Sequence, residues 1–149
     1  MLPLLVILLL GIFQLGFLYS THIGLINGTR EGARYGATVP TQDGSTAGDV
    51  ENQLYNTGTG TGQLTQATGF DGTRVTRDVT YCKYSVGSTW HVRLRATVDY
   101  LHPLFVPIVG AIFDPIDDPS TPGAFRLTVE EEMRVENPND ILEPALGTC

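Results

Sequence analysis

The stretch from Met1 to Ile26, MLPLLVILLLGIFQLGFLYSTHIGLI, holds no charged side chain, and only Gln14, Ser20, Thr21 and His22 are clearly polar. A helix from Leu2 to Leu25 would be about 36 Å long, enough to cross a hydrocarbon core of about 30 Å with some tilt. Pro3 falls in the first turn, where its missing N–H has no helical partner to lose. A cleaved signal peptide would need a basic leader and a small-residue cleavage site, and neither is present. A soluble helix this apolar would have to be enclosed by a far larger protein. The segment therefore reads as a transmembrane helix in contact with membrane lipid, with a juxtamembrane continuation to residue 38.

Gly24, Gly28, Gly32 and Gly36 recur every four residues, preceded in the same register by Gly16 and Ser20. Each step of four turns the stripe by about 40°, so it winds slowly round the helix as a groove without side chains. Glycine costs about 1 kcal/mol of helix propensity relative to alanine, so the run would be a poor helix alone in water. Two readings follow: a helix held by neighbouring helices through a small-xxx-small face, or a loop just past the membrane. The first charges, Arg30, Glu31 and Arg34, mark orientation too weakly to assign it.

Beyond residue 38, the 149-residue chain has room for one small head rather than several domains. The formal net charge is −7. From residue 114 onward, Asp114, Asp117, Asp118, Glu130, Glu131, Glu132, Glu136, Asp140 and Glu143 face only Arg126 and Arg134. Such a surface repels phosphate backbones and argues against nucleic acid.

Residues 39–72 read as a short helix from Thr46 to Tyr55, capped by Thr46, and a Thr/Gly-rich mobile loop from Asn56 to Gly62. The loop lacks the Gly-Lys-Ser/Thr that a phosphate loop requires. Residues 73–136 change to period two. Val75, Val79 and Tyr81 share one face of a first strand, and Trp90, Val92, Leu94, Ala96, Val98 and Tyr100 one face of a second. Ser85-Val86-Gly87-Ser88 links them as a hairpin. A third strand puts Phe125, Leu127, Val129, Met133 and Val135 on its apolar face. Glu131 is the misfit there, assigned to a sheet margin or a bulge. Arg93 and Arg95 are expected opposite Glu130 and Glu132 on the polar face. Residues 101–113 form an apolar insertion interrupted by His102, Pro103, Pro107 and Gly110, and residues 137–149 an irregular tail. The fold class is thus α+β, a long N-terminal transmembrane helix followed by a small three-stranded antiparallel sheet head.

No catalytic set emerges, because His22, His91 and His102 have no spacing that joins them to Cys82 or an aspartate as base and nucleophile. No small-molecule substrate or cofactor site is expected. Asp114-Pro115-Ile116-Asp117-Asp118-Pro119 lacks the ligand spacing of a calcium loop. Cys82 and Cys149 would pair if the head is exported and stay reduced if it is cytosolic; the mobile chain end favours a Cys82 to Cys149 bridge.

A family resemblance rests on Leu2-Pro3-Leu4-Leu5, on Gly11-Ile12-Phe13-Gln14-Leu15-Gly16 and, most specifically, on Asn27-Gly28-Thr29-Arg30-Glu31-Gly32-Ala33-Arg34-Tyr35-Gly36-Ala37. These stretches resemble the N-terminal signature of TadE-like proteins, minor pilins or pseudopilins of the tight-adherence (Tad/Flp) pilus and related bacterial export clusters. The likeness extends weakly through the proline-containing apolar segment to Val135. Family members usually carry a Glu-Phe-Ala-Leu-like segment and a prepilin-peptidase site before the proline, so the reading frame is expected to extend upstream of Met1. Gln14 stands where the family often has Glu. The resemblance implies a pilin-like structural subunit, non-enzymatic, held single-pass in the bacterial inner membrane with its head extracytoplasmic, incorporated in a surface pilus or accessory to it. Its partners would be other pilins or pilus assembly proteins, met through the N-terminal helix. The alternative is a single-pass envelope binding module with no part in a filament.

Overall fold

The uncharged segment and the glycine repeat form one continuous helix. The computed structural model describes residues 2–38, 47–105, 123–136 and 147–148. In it α1 runs unbroken over Leu2–Thr38, 37 residues, or about 55 Å at 1.5 Å per residue. The loop reading of the glycines is thereby replaced. The first half of α1 is bare except at Gln14 and Leu18: Leu2, Leu4, Leu5, Ile12 and Phe13 are all exposed. It is long and apolar enough to cross a membrane. The second half buries Thr21, Leu25, Gly28, Thr29, Gly32, Ala33, Gly36 and Ala37.

What buries it is the chain's own head. The described head comprises α2 (Ala47–Leu54), 3₁₀ turns at Gln63–Gln66 and Gly72–Arg74, and strands β1 (Val75–Val86), β2 (Thr89–Pro103), β3 (Ala124–Arg134) and β4 (Gly147–Thr148). The sheet order is β3-β2-β1-β4. The first three strands are antiparallel, as the alternating pattern predicts. Gly147–Thr148, in the tail read as irregular, adds a short parallel pairing along Cys82–Lys83. Gly87 opens the two-residue hairpin turn at φ +64, a conformation that a Cβ would oppose and that suits the right-handed twist of paired strands.

The inner sheet face carries Val79, Val92, Leu94, Ala96, Val98, Tyr100, Leu127 and Val129 into a core completed by Leu25 and Ala33 of α1, Val50 and Leu54 of α2, and Leu64. The sequence alternation locates most of this face, with three differences. Trp90 is exposed, because α1 covers the sheet at Leu94 through Gly36 and ends at Thr38. The strand does not stop before His102: β2 continues through Pro103, so Leu101–Pro103 belong to the sheet and not to an insertion. Glu131 sits at no bulge, since the register runs evenly through Ala96↔Glu131. The Asn56–Gly62 stretch, read as unanchored, is a turn organised by Asn56, whose Oδ1 accepts from the N–H of Gly58 at 2.9 Å and of Thr59 at 3.1 Å. The Thr46 cap, residues 106–113, the Asp114–Pro119 stretch and Cys149 lie outside the described residues.

The four glycines have distinct neighbours in the head. A Cβ on Gly24 would stand 2.5 Å from the Ala67 Cα, and one on Gly28 3.0 Å from the Gln63 carbonyl oxygen. On Gly32 it would strike the Leu54 side chain, and on Gly36 it would meet Leu94 Cδ1 at 2.5 Å. The expectation that these glycines receive a neighbouring helix is therefore corrected: the head fills the groove. Only beside Gly11 and Gly16 does α1 leave the space open.

Gly24→Ala should thus destabilise the protein by about 1–3 kcal/mol through overpacking against backbone, despite a propensity gain of about 1 kcal/mol. Gly16→Ala should leave stability unchanged or slightly raised. Denaturant unfolding in detergent, followed by head circular dichroism, compares the two; equal midpoints would refute the packing assignment.

Candidate functional site

The seam between α1 and the head gathers most of the polar residues of the apolar helix. Gln14 is buried, 4% exposed, although it lies in the uncharged run. Its Nε2 donates to the Pro103 carbonyl at 3.3 Å, and its Oε1 accepts from the Phe105 N–H at 3.0 Å. An amide can serve both partners because it is donor and acceptor at once, whereas a carboxylate only accepts. Two turns further on, Thr21 Oγ1 lies 2.7 Å from the Thr68 carbonyl and 2.9 Å from the Phe17 carbonyl of its own helix. Ser20 and Thr68 hydroxyls meet at 2.9 Å.

The far end of α1 is held as closely. A helix leaves its last carbonyls without internal donors, and here the head supplies them. Tyr81 Oη donates to the Gly36 carbonyl at 3.1 Å, and the Glu136 N–H donates to the Ala37 carbonyl at 3.2 Å. Burial pushes the Tyr81 hydroxyl up to about 12, with Asp49 and Tyr35 adding to the effect.

The signature residues divide between the seam and the surface. Arg30 reaches Glu131 of β3 at 3.1 Å, which explains why a carboxylate stands on the apolar face: it faces α1, and the helix brings its counter-ion. The pair is partly exposed, so it contributes at most about 1 kcal/mol. Ala33 is fully buried. Asn27 and Glu31 line a shallow groove with Gln63 and Gln66. Arg34 meets Glu31 at 3.8 Å in solvent, and Tyr35 edges a polar hollow with Asn52, Gln53 and Asn56. Pro3 is in the exposed first turn of α1.

On the outer sheet face, Arg95 bridges Glu130 at 3.0 Å and Glu132 at 2.8 Å, and Arg93 meets Glu132 at 2.8 Å. This is the pairing expected from strand parity. His91 Nδ1 contacts Arg134 at 2.9 Å. His102 is 1% exposed, with neither ring nitrogen hydrogen-bonded among the described residues. It lies between Phe17 at 6.2 Å and Tyr100 at 6.4 Å. Burial lowers its pKa, helped by the positive charge of Arg74, so it is neutral and behaves as an aromatic core residue. Among the described residues no three of His, Cys, Asp and Glu gather as metal ligands.

Sequence reasoning missed the seam contacts of Gln14, Thr21 and Tyr81. A signal for the first two was present: Gln14, Thr21 and Gly28 recur at intervals of seven along an otherwise apolar helix, which puts them on one stripe.

Raising the pH tests the Tyr81 contact. The hydroxyl ionises near 10 when unfolded and at about 12 when folded. Its stabilisation is complete below pH 10 and is lost as pH rises through 12. Tyr81→Phe should lower stability at neutral pH by about 0.5–1.5 kcal/mol and reduce the alkaline loss, leaving the share of Tyr100, also raised by burial. An unchanged stability profile between pH 9 and 12 in that variant would contradict the assignment.

A family model described as TadE-like protein matches residues 1–34. The matched residues are the N-terminal helix region, including Gln14 and the Asn27–Arg34 part of the signature; the head falls outside them. No curated protein and no solved structure matches the chain. The chain is similar to TadE-like proteins in its N-terminal helix, and its architecture is α+β and pilin-like, a long apolar helix followed by a sheet whose three long strands are antiparallel.

Proposed function

We propose that this chain is a membrane-anchored, minor pilin-like structural subunit for Tad-type pilus assembly or a related export system. In this role it is single-pass in the bacterial inner membrane, with its head extracytoplasmic. The observation that carries the reading is the division of α1 into a bare apolar half and a half fused to a folded head. The bare half suits lipid first and the helices of other subunits afterwards. The likeness to TadE-like proteins in the same region supports it.

Because the head occupies Gly24, Gly28, Gly32 and Gly36, contact with other helices in this reading runs through the bare half, where Gly11 and Gly16 permit close approach. A photo-crosslinking residue at Ile12 should therefore capture pilin or assembly subunits in membranes, whereas one at Asn27 should capture far less. Recovery of the protein only as a free soluble monomer would overturn the proposal. Membrane retention with no crosslink at Ile12 would favour a single-pass envelope binding module.

We also propose a Cys82–Cys149 disulfide in the exported head. The β4 register sets Gly147 against Cys82, which brings the chain to within two residues of Cys149, and no cysteine is free among the described residues. The bridge would add about 4 kcal/mol on loop-entropy grounds. Intact mass of the unreduced protein should show the loss of two hydrogens; two alkylatable thiols would exclude it.

A further inference from the structure

The helix carries its own depth scale. Tyr19 is 66% exposed and is the last aromatic side chain before the helix turns polar at Ser20, His22, Asn27 and Arg30. Tyrosine collects where hydrocarbon gives way to headgroups, since its ring is apolar and its hydroxyl is wet. Toward the N-terminus from Tyr19, α1 exposes Phe17, Leu15, Phe13 and Ile12 without a single charge. The head does not wait for this apolar stretch to end. It reaches down to Gln14, whose amide holds Pro103 and Phe105. Gln14 is five residues from Tyr19, about 7.5 Å along the axis on the hydrocarbon side.

The end of β2 is built for that depth. Phe105 is 68% exposed, and its ring meets the edge of Phe17 at 6.4 Å, so two exposed aromatic rings from helix and head form one surface. Three polar groups beside them are bonded: the Pro103 carbonyl and the Phe105 N–H by Gln14, and the Leu104 N–H by the Gly123 carbonyl at 2.9 Å, which lowers the cost of bringing them into lipid. His102 is enclosed behind them. Residues 103–105 carry no charge. This apolar surface is continuous with the bare half of α1, which the anchoring reading already assigns to lipid.

We propose that the base of the head, Pro103–Phe105 with Phe17, is a second lipid contact, seated at the boundary between phospholipid headgroups and acyl chains. A depth of about 5–10 Å is typical of apolar side chains inserted at that boundary. The head then stands on the membrane at two points, the helix and Pro103–Phe105, and its orientation to the bilayer is fixed by the Gln14 hydrogen bonds that join them. The opposite end of β2, at the hairpin with Trp90, points away from the bilayer.

The inference rests on membrane anchoring through α1, and the test separates the two. Trp90 is the single tryptophan of the chain, so Trp90→Phe gives a dark background into which Phe105→Trp or Phe13→Trp is introduced. The full chain is reconstituted in vesicles of phosphatidylcholine and phosphatidylglycerol with brominated acyl chains. Phe105→Trp should lose emission relative to unbrominated vesicles to an extent comparable with Phe13→Trp; native Trp90 should lose almost none. Quenching of Phe13→Trp without quenching of Phe105→Trp would overturn the basal contact and leave the anchor standing. Quenching of neither would overturn both. In the unsubstituted protein, a lipid-soluble carbene precursor should label the peptide that contains Phe105, and absence of label there would overturn the proposal independently of how the variants fold.

Discussion

The head lies so close to α1 that four successive positions along the contact have no space for a side chain. Gly24 touches the backbone at Ala67, Gly28 the Gln63 carbonyl, Gly32 the Leu54 side chain and Gly36 the Leu94 and Val50 side chains. The helix thereby gives up a large part of its intrinsic propensity, and the tertiary contact returns it. Leu54, Leu64, Leu94 and Val50 are buried against a surface that would otherwise keep them apart from the helix backbone, each fully buried side chain contributing about 1.5–3 kcal/mol. The contact is also what makes a single unit of a long helix and a small sheet, since neither encloses a core without the other.

That close approach has an electrostatic counterpart. Polar groups in an apolar helix are costly unless bonded, and here the head bonds them: Gln14 with Pro103 and Phe105, Thr21 with Thr68, and the last helix carbonyls with Tyr81 and Glu136. Arg30 and Glu131 show the same complementarity at the rim, where an acid on the apolar strand face meets a base from the helix. Together with the close glycine contacts, such groups fix the register of helix against sheet.

The same physics sets how the molecule meets its surroundings. With the glycine groove filled, the part of α1 that the head leaves uncovered is its first half, where Phe13, Leu15, Phe17 and Tyr19 are exposed nearest the head. Of the signature residues that remain outside the seam, Asn27, Glu31 and Tyr35 border polar grooves with the Asn/Gln-rich segment around α2 and the following 3₁₀ turn, and Arg34 meets Glu31 in solvent.

The uncharged run up to Ile26 and the period-two alternation from Trp90 to Tyr100 and from Phe125 to Val135 were legible along the chain, because each is a local pattern that marks a helix or a strand face without reference to distant residues, and the Arg–Glu pairing across the outer sheet face followed from the parity of two neighbouring strands. The occupant of the glycine groove was not. Spacing says that something approaches closely; it does not distinguish a second helix from the chain's own Ala67 and Leu54, which are brought there only by the fold. The role of Glu131 was hidden for the same reason, since its partner Arg30 is about a hundred residues away, and His102 passed for an interruption because its burial depends on Phe17 and Tyr100 closing round it. Local pattern gives the elements and their faces; which face meets which is a matter of long-range packing, where the free energy of burial outweighs the preferences of any short segment.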